Sequence, residues 1–189
     1  MTSVTQTSMK FSKCKLPGVF VIDIEPIKDE RGMFARLWCK DEFKQQGLVT
    51  ELSQCSLSFN HSKGTLRGMH YQSAPHAETK VIRCTRGSIF DVAIDLRPES
   101  PSYKQWFGTL LSAENHRMLY VPEGLAHGFV TLEADSEVFY QISVPYVPES
   151  GRGVRWNDPC FDINWPIQPV VISNKDANYP NFIELAIKP

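Results

Sequence analysis

The sequence predicts an all-β protein, a sandwich or barrel of short strands with very little helix. Three observations predict it. Thirteen prolines and eleven glycines break the 189 residues into short segments, many of those segments alternate or are rich in Val, Ile and Phe, and one stretch alone carries a helical signal. With 42% apolar residues the chain can bury one good core and is too short for two comfortable domains, so residues 1–189 are expected to form a single domain.

Residues 1–15 are expected to be a flexible tail or an arm exchanged with a partner subunit. Strands follow at residues 18–24 (GVFVIDI) and 51–59 (ELSQCSLSF). Between them, residues 40–46 form the helix, with Asp41 as its cap and Gly47 after it. Further strands are expected at 64–72 (GTLRGMHYQ), 79–86 (TKVIRCTR), 88–96 (SIFDVAIDL), 105–111 (QWFGTLL) and 117–121 (RMLYV). The turn-rich clusters RPESPSY and SAENH separate the last three of these, which fixes their ends. Residues 127–132 (HGFVTL), 137–144 (EVFYQISV) and 169–173 (PVVIS) complete the set.

A formal charge of −1 and a pI near 6.5, with acids and bases interspersed, leave no field to hold nucleic acid or an anionic membrane. Any anionic ligand has to be met by a few placed cations. No window approaches ~20 consecutive apolar residues and the N-terminus lacks an apolar signal region, so a cytoplasmic protein is expected. The five cysteines are odd in number, widely spaced and without a CxxC pair, which argues against a disulfide framework and a thiolate zinc site. They are expected to be buried small apolar side chains, while His61, His76 and His116 are expected at the surface.

The strand at 64–72 sets Arg67, His70 and Gln72 close together. In strict alternation Leu66, Gly68, His70 and Gln72 share one face and Arg67 lies on the other, so a bulge near Gly68 is needed to aim both Arg67 and His70 inward. Taken alone, His70 is a hydrogen-bonded structural histidine. Lys80 aligns with Ile82 and Cys84, a costly place for an ammonium unless a partner or a ligand anion receives it, the alternative being an exposed edge lysine. Tyr140 shares a face with Val138, Ile142 and Val144, which alone indicates a core tyrosine, although in a small barrel the core face and the pocket face are one surface. Asp176, in SNKDAN, is on spacing alone a turn residue.

His70, Gln72 and Glu78, followed by the distant PEGLAH at residues 122–127, resemble the two motifs of the cupin superfamily, a β jelly roll of two packed antiparallel sheets. The first cupin motif supplies His-x-His and a later Glu, the second Pro-x-Gly-x-x-His. Gln72 stands where a metal cupin has its second histidine. Two histidines and a carboxylate can hold iron, but Gln is a poor substitute ligand, and no metal is expected.

GTLRGMHYQ, KVIRCTRGSIFDVAIDLR, VPEGLAHGF, EVFYQISVPY, GVRWNDPCFDINWP and ISNKD, in that order, resemble the dTDP-4-dehydrorhamnose 3,5-epimerase family, a metal-free branch of the cupins. The resemblance implies a cofactor-free inversion at C3, C5 or both of a nucleotide-diphosphate-linked 4-keto-6-deoxyhexose, through an enolate, by a homodimer. It implies His70 as the base, Asp176 as the carboxylate that orients it, Lys80 beside the enolate oxygen, and Tyr140 as the acid on the opposite face. Arg67 and His127 are implied at the sugar-diphosphate pocket, and Arg31, Phe34, Gln54 and Gln72 as further substrate-binding positions.

Two departures bear on the nucleotide. Arg36 stands where the family has a glutamate that helps hold the base, and Ser56 stands where it has an asparagine. A guanidinium only donates hydrogen bonds where a carboxylate accepts them, so a base other than thymine is admissible. The alternatives to an epimerase are a metal-dependent cupin enzyme, a 3,4-ketoisomerase and a non-catalytic sugar-nucleotide-binding cupin.

Overall fold

The structure, a computed structural model, describes residues 7–182. Fourteen strands run through them. In chain order the first seven are β1 (Met9–Lys13), β2 (Phe20–Ile24), β3 (Ile27–Asp29), β4 (Gly32–Phe34), β5 (Gln54–Asn60), β6 (Thr65–Gln72) and β7 (Lys80–Arg86). They are followed by β8 (Ser88–Asp95), β9 (Trp106–Ser112), β10 (Met118–Val121), β11 (Leu125–Thr131), β12 (Ser136–Ile142), β13 (Gly151–Gly153) and β14 (Val171–Ile172). Two short helices, α1 (Lys40–Gln45) and α2 (Asn174–Ala177), accompany them.

Six strands in the order β1-β2-β10-β7-β12-β5 make one sheet, and β13-β6-β11-β8-β9 with β14 beside β6 make the other. The pairings are antiparallel except for β14 on β6. The inward residues of both sheets meet in one apolar cluster, with Ile82, Leu119 and Val138 from the first sheet against Ile89, Leu111 and Phe129 from the second. This is the two-sheet jelly roll that the strand pattern and the motifs imply. Burying such side chains stabilises by roughly 1.5–3 kcal/mol each relative to exposure.

Each outer face is covered differently. Phe43 of α1 is fully buried among Phe20, Val81, Met118 and Tyr120 on the first sheet. On the second sheet, Val154 and Phe161 from the chain beyond β13 cover Met69, Val92, Ile94 and Ala126. At the β8–β9 turn the fully buried Asp95 carboxylate accepts from Arg97 Nε at 2.9 Å, from Ser100 Oγ and from Ser102 Oγ, both at 2.6 Å. Arg97 also donates to Pro17 O at 2.8 Å, tying this turn to the chain before β2.

Every expected strand overlaps an observed one, with β5, β9, β11 and β12 each reaching one or two residues past the expected bounds, and further differences lie elsewhere. Residues 9–13, expected within a tail, form β1 and pair with β2 of the same chain, while residues 1–6 lie outside the described residues. The N-cap of α1 is Cys39 and not Asp41, which lies in the first helical turn, where a negative charge favours the helix dipole. The hairpin β3–β4 and the three-residue β13 are too short to show an alternation. Of the cysteines only Cys84 is buried; Cys55 and Cys160 are exposed, because β5 is an edge strand and Cys160 sits in a surface turn.

Candidate active site

A cavity of about 800 Å³ opens between the sheets, within the range of small-molecule sites. The bulge expected near Gly68 is what aims two of its walls. Across β6 and β11, His70 pairs with His127 and Arg67 with Phe129, so three steps on β6 match two on β11 and both Arg67 and His70 face inward. The extra residue is accommodated where two glycines meet. A Cβ on Gly68 would lie 2.6 Å from Gly128 Cα, and Gly68 has φ +141, a region that L side chains rarely adopt.

His70 Nε2 stands 2.7 Å from Asp176 Oδ1, and Asp176 Oδ2 accepts from Gly68 N at 3.2 Å. The local fold of SNKD explains the placement. Ser173 caps α2, its Oγ accepting from Asp176 N at 3.1 Å, and this turns the carboxylate inward onto β6. Burial raises the Asp176 carboxyl, but the bonds from His70, Gly68 and Ser173 outweigh that and hold it below the usual carboxylate range. It therefore remains an anion that accepts Nε2–H, which leaves Nδ1 of His70 as the basic nitrogen.

From the other sheet come Lys80 of β7 and Tyr140 of β12. Lys80 Nζ contacts Glu78 Oε1 at 2.7 Å and donates to His70 O at 3.4 Å. The Tyr140 ring packs against the central cluster and edge-on to His127, with its hydroxyl 3.5 Å from Ser58 Oγ. Burial pushes its phenol well above the ordinary tyrosine value, so it holds its proton.

His127 is buried and bonded through Nε2 to Asp91 Oδ1 at 2.8 Å. Burial raises the Asp91 carboxyl, partly offset by His127 and Lys80. Arg67 lines the cavity with Nε donating to Asn60 Oδ1 at 2.7 Å, which fixes the guanidinium from β5.

Gln54 and Ser56 line the cavity as well. Gln72 lines it, but its amide is spent on fastening the neighbouring chain, donating to His76 O and Pro145 O and accepting from Val147 N at 2.7 Å. Arg31 and Phe34 are not brought to this cavity. Both lie on the exposed β3–β4 hairpin, where Arg31 pairs with Asp29 and Phe34 is 73% exposed. Arg36 is also elsewhere, its Nη1 2.7 Å from Glu42 Oε1 of α1.

Several lining residues were not foreseen from the sequence, among them Tyr146, Arg152, Lys175 and Tyr179. Tyr179 packs edge-on to His70 and occupies the space where Gly153 lacks a side chain, 2.3 Å from the ring to a Cβ placed there. Asp91 did carry a signal, as an acid alternating with Ile89 and Ala93 on a buried face.

The family model for dTDP-4-dehydrorhamnose 3,5-epimerase matches residues 13–184. A dTDP-4-dehydrorhamnose 3,5-epimerase of Sinorhizobium fredii is 40% identical over 180 residues, covering 95% of this chain and 92% of its own. Among solved structures, the dTDP-4-dehydrorhamnose 3,5-epimerase of Bacillus anthracis, with TDP and PPi bound, superposes with a TM-score of 0.89 at 37% identity, covering 93% of this chain and 100% of that one. That of Elizabethkingia anophelis gives a TM-score of 0.89 at 37% identity, with 92% and 96% covered.

Proposed function

The chain belongs to the dTDP-4-dehydrorhamnose 3,5-epimerase family, and from that membership we propose that it inverts C3, C5 or both of a nucleotide-linked 4-keto-6-deoxyhexose in deoxysugar biosynthesis. It is an isomerase. One observation carries the reading of its mechanism: His70 stands on one sheet and Tyr140 on the other, and both line the same cavity. A sugar ring held between them presents opposite faces to the two groups.

In this reading His70 Nδ1 removes the proton next to the ketone, and Asp176 stabilises the imidazolium that forms. Lys80 offers an N–H to the developing enolate oxygen. Tyr140 returns a proton to the opposite face. Arg67 and His127 hold the diphosphate, Arg67 through its forked donors, and Gln54 lies along the nucleotide end. All electrons stay on the sugar, so the proton transfers call on no redox carrier.

Ser56 at the cavity wall and Arg36 engaged by Glu42 support a nucleotide contact unlike that of a glutamate- and asparagine-bearing site, which leaves cytosine and guanine admissible beside thymine. A homodimer is supported by exposed Leu57 and Phe59 on the edge strand β5, and by Met33 and Phe34 on the β3–β4 hairpin. Five free cysteines fit a reducing cytoplasm, and among the described residues no helix is long and apolar enough to cross a membrane.

Incubation with dTDP- and CDP-linked 4-keto-6-deoxyglucose in deuterium oxide, followed by NMR, tests the proposal. Deuterium at inverted carbons beside the ketone is expected. A ketone moved to C3 would make the protein a ketoisomerase, and binding without exchange a non-catalytic cupin.

A further inference from the structure

Among the described residues, Glu78 is the one acidic side chain of the cavity wall that the proton transfers leave without a task. It precedes β7, and its carboxylate meets the Lys80 ammonium at 2.7 Å with side-chain exposures of only 9% and 11%. Sequence alone offers it as a metal ligand, yet the groups that would share that metal are turned elsewhere, His70 Nε2 to Asp176 and the Gln72 amide to His76, Pro145 and Val147.

An ammonium has three N–H donors. One meets Glu78 Oε1 and a second His70 O at 3.4 Å, which leaves a single donor for a ligand oxygen in the cavity. A lysine that close to burial, without an acceptor, swings toward water. We propose that Glu78 is a positioning residue for Lys80: it clamps the ammonium against the start of β7 so that the remaining N–H is held toward the substrate's C4 oxygen before the enolate forms. The assignment rests on the epimerase reading above. The opposing negative charge of Glu78 weakens the pull of Lys80 on an oxyanion, so its contribution is to orientation fixed in advance and not to net charge. A neutral acceptor of equal reach therefore serves nearly as well.

The test compares Glu78→Ala and Glu78→Gln with the unaltered full chain, using whichever of the dTDP- and CDP-linked 4-keto-6-deoxyglucoses the unaltered chain turns over. Solvent deuterium wash-in and inversion are followed together, with a thermal melt for folding. In Glu78→Ala, kcat for both is expected to fall about 10- to 100-fold, as for other groups that orient a reacting side chain, with KM within about threefold. Glu78→Gln is expected to return kcat to within a few-fold of the unaltered chain. The proposal is overturned if Glu78→Ala keeps its kcat, if the loss lies in KM alone, or if Glu78→Gln is as slow as Glu78→Ala, which would make the carboxylate itself a reacting group. If the unaltered chain neither exchanges nor inverts, the epimerase reading falls and the role of Glu78 falls with it. Normal catalysis by the unaltered chain beside a fully active Glu78→Ala overturns the role of Glu78 alone.

Discussion

His70 Nε2 and Asp176 Oδ1 stand 2.7 Å apart although 106 residues separate them in the chain. The same carboxylate accepts Gly68 N, so a single acid holds both the imidazole and the bulge that aims it. His70→Ala is expected to abolish deuterium exchange and product formation together, a loss of roughly 10²–10⁴ for a general base. Asp176→Asn is expected to keep a small residual rate, since the amide can still meet the ring without fixing its tautomer. Near-normal exchange in His70→Ala would remove His70 as the base.

Gly128 lets β11 approach the bulge. A methyl there would lie 2.7 Å from both Arg67 O and Met69 Sδ and 2.9 Å from Gly68 Cα. Gly128→Ala is expected to cost about 1–3 kcal/mol in a urea melt, as overpacking does, and to lower kcat/KM by displacing Arg67 and His70 together. An unchanged melt with an unchanged rate would show that the two strands part at little cost.

Asp95 governs a pH dependence of stability. Burial raises its carboxyl, but Arg97, Ser100 and Ser102 outweigh this and lower it from 3.8 to about 2. A folded value below the unfolded one stabilises above pH 3.8, and the contribution is lost as pH falls from 3.8 toward 2. Because the Arg97 side chain is 32% exposed to screening solvent, the full shift is discounted to about 1–2 kcal/mol. The difference in urea midpoint between the unaltered chain and Asp95→Asn is expected to shrink on acidification through that window. A difference constant from pH 5 to pH 2.5 would contradict it.

Removal of metal is expected to leave the rate intact, since the proposed steps are proton transfers between side chains. Dialysis against a chelator, followed by assay with and without added iron or zinc, checks this. Activity lost with the metal and regained with it would favour a metal cupin.

Much of this site was legible because alternation decides direction. Lys80 with Ile82 and Cys84, and Tyr140 with Val138, point where period two sends them. The need for a bulge at Gly68 was legible for the same reason, since Arg67 and His70 cannot otherwise share a face. The partner of His70 was not legible from spacing, because a capped single turn at residues 173–177 and a polar loop have the same composition. Glu78 was visible as an acid near a histidine, but its partner Lys80 depends on where β7 begins. Arg31 and Phe34 gave no local signal that their hairpin stands away from this chain's cavity, for a strand of three residues has no period to follow.

The central claim is that base and acid act from opposite sheets, and Tyr140→Phe tests it most directly. The change keeps the ring that packs on the central cluster and deletes only the hydroxyl. The quantity to measure is the ratio of solvent deuterium entering unreacted substrate to epimer formed. With Tyr140 absent as the acid, His70 can still form the enolate and return a solvent-exchanged proton to the original face. Exchange outrunning inversion, confined to carbons beside the ketone, is the expected result; epimer formed at the unaltered rate, or exchange and inversion vanishing together, would contradict it.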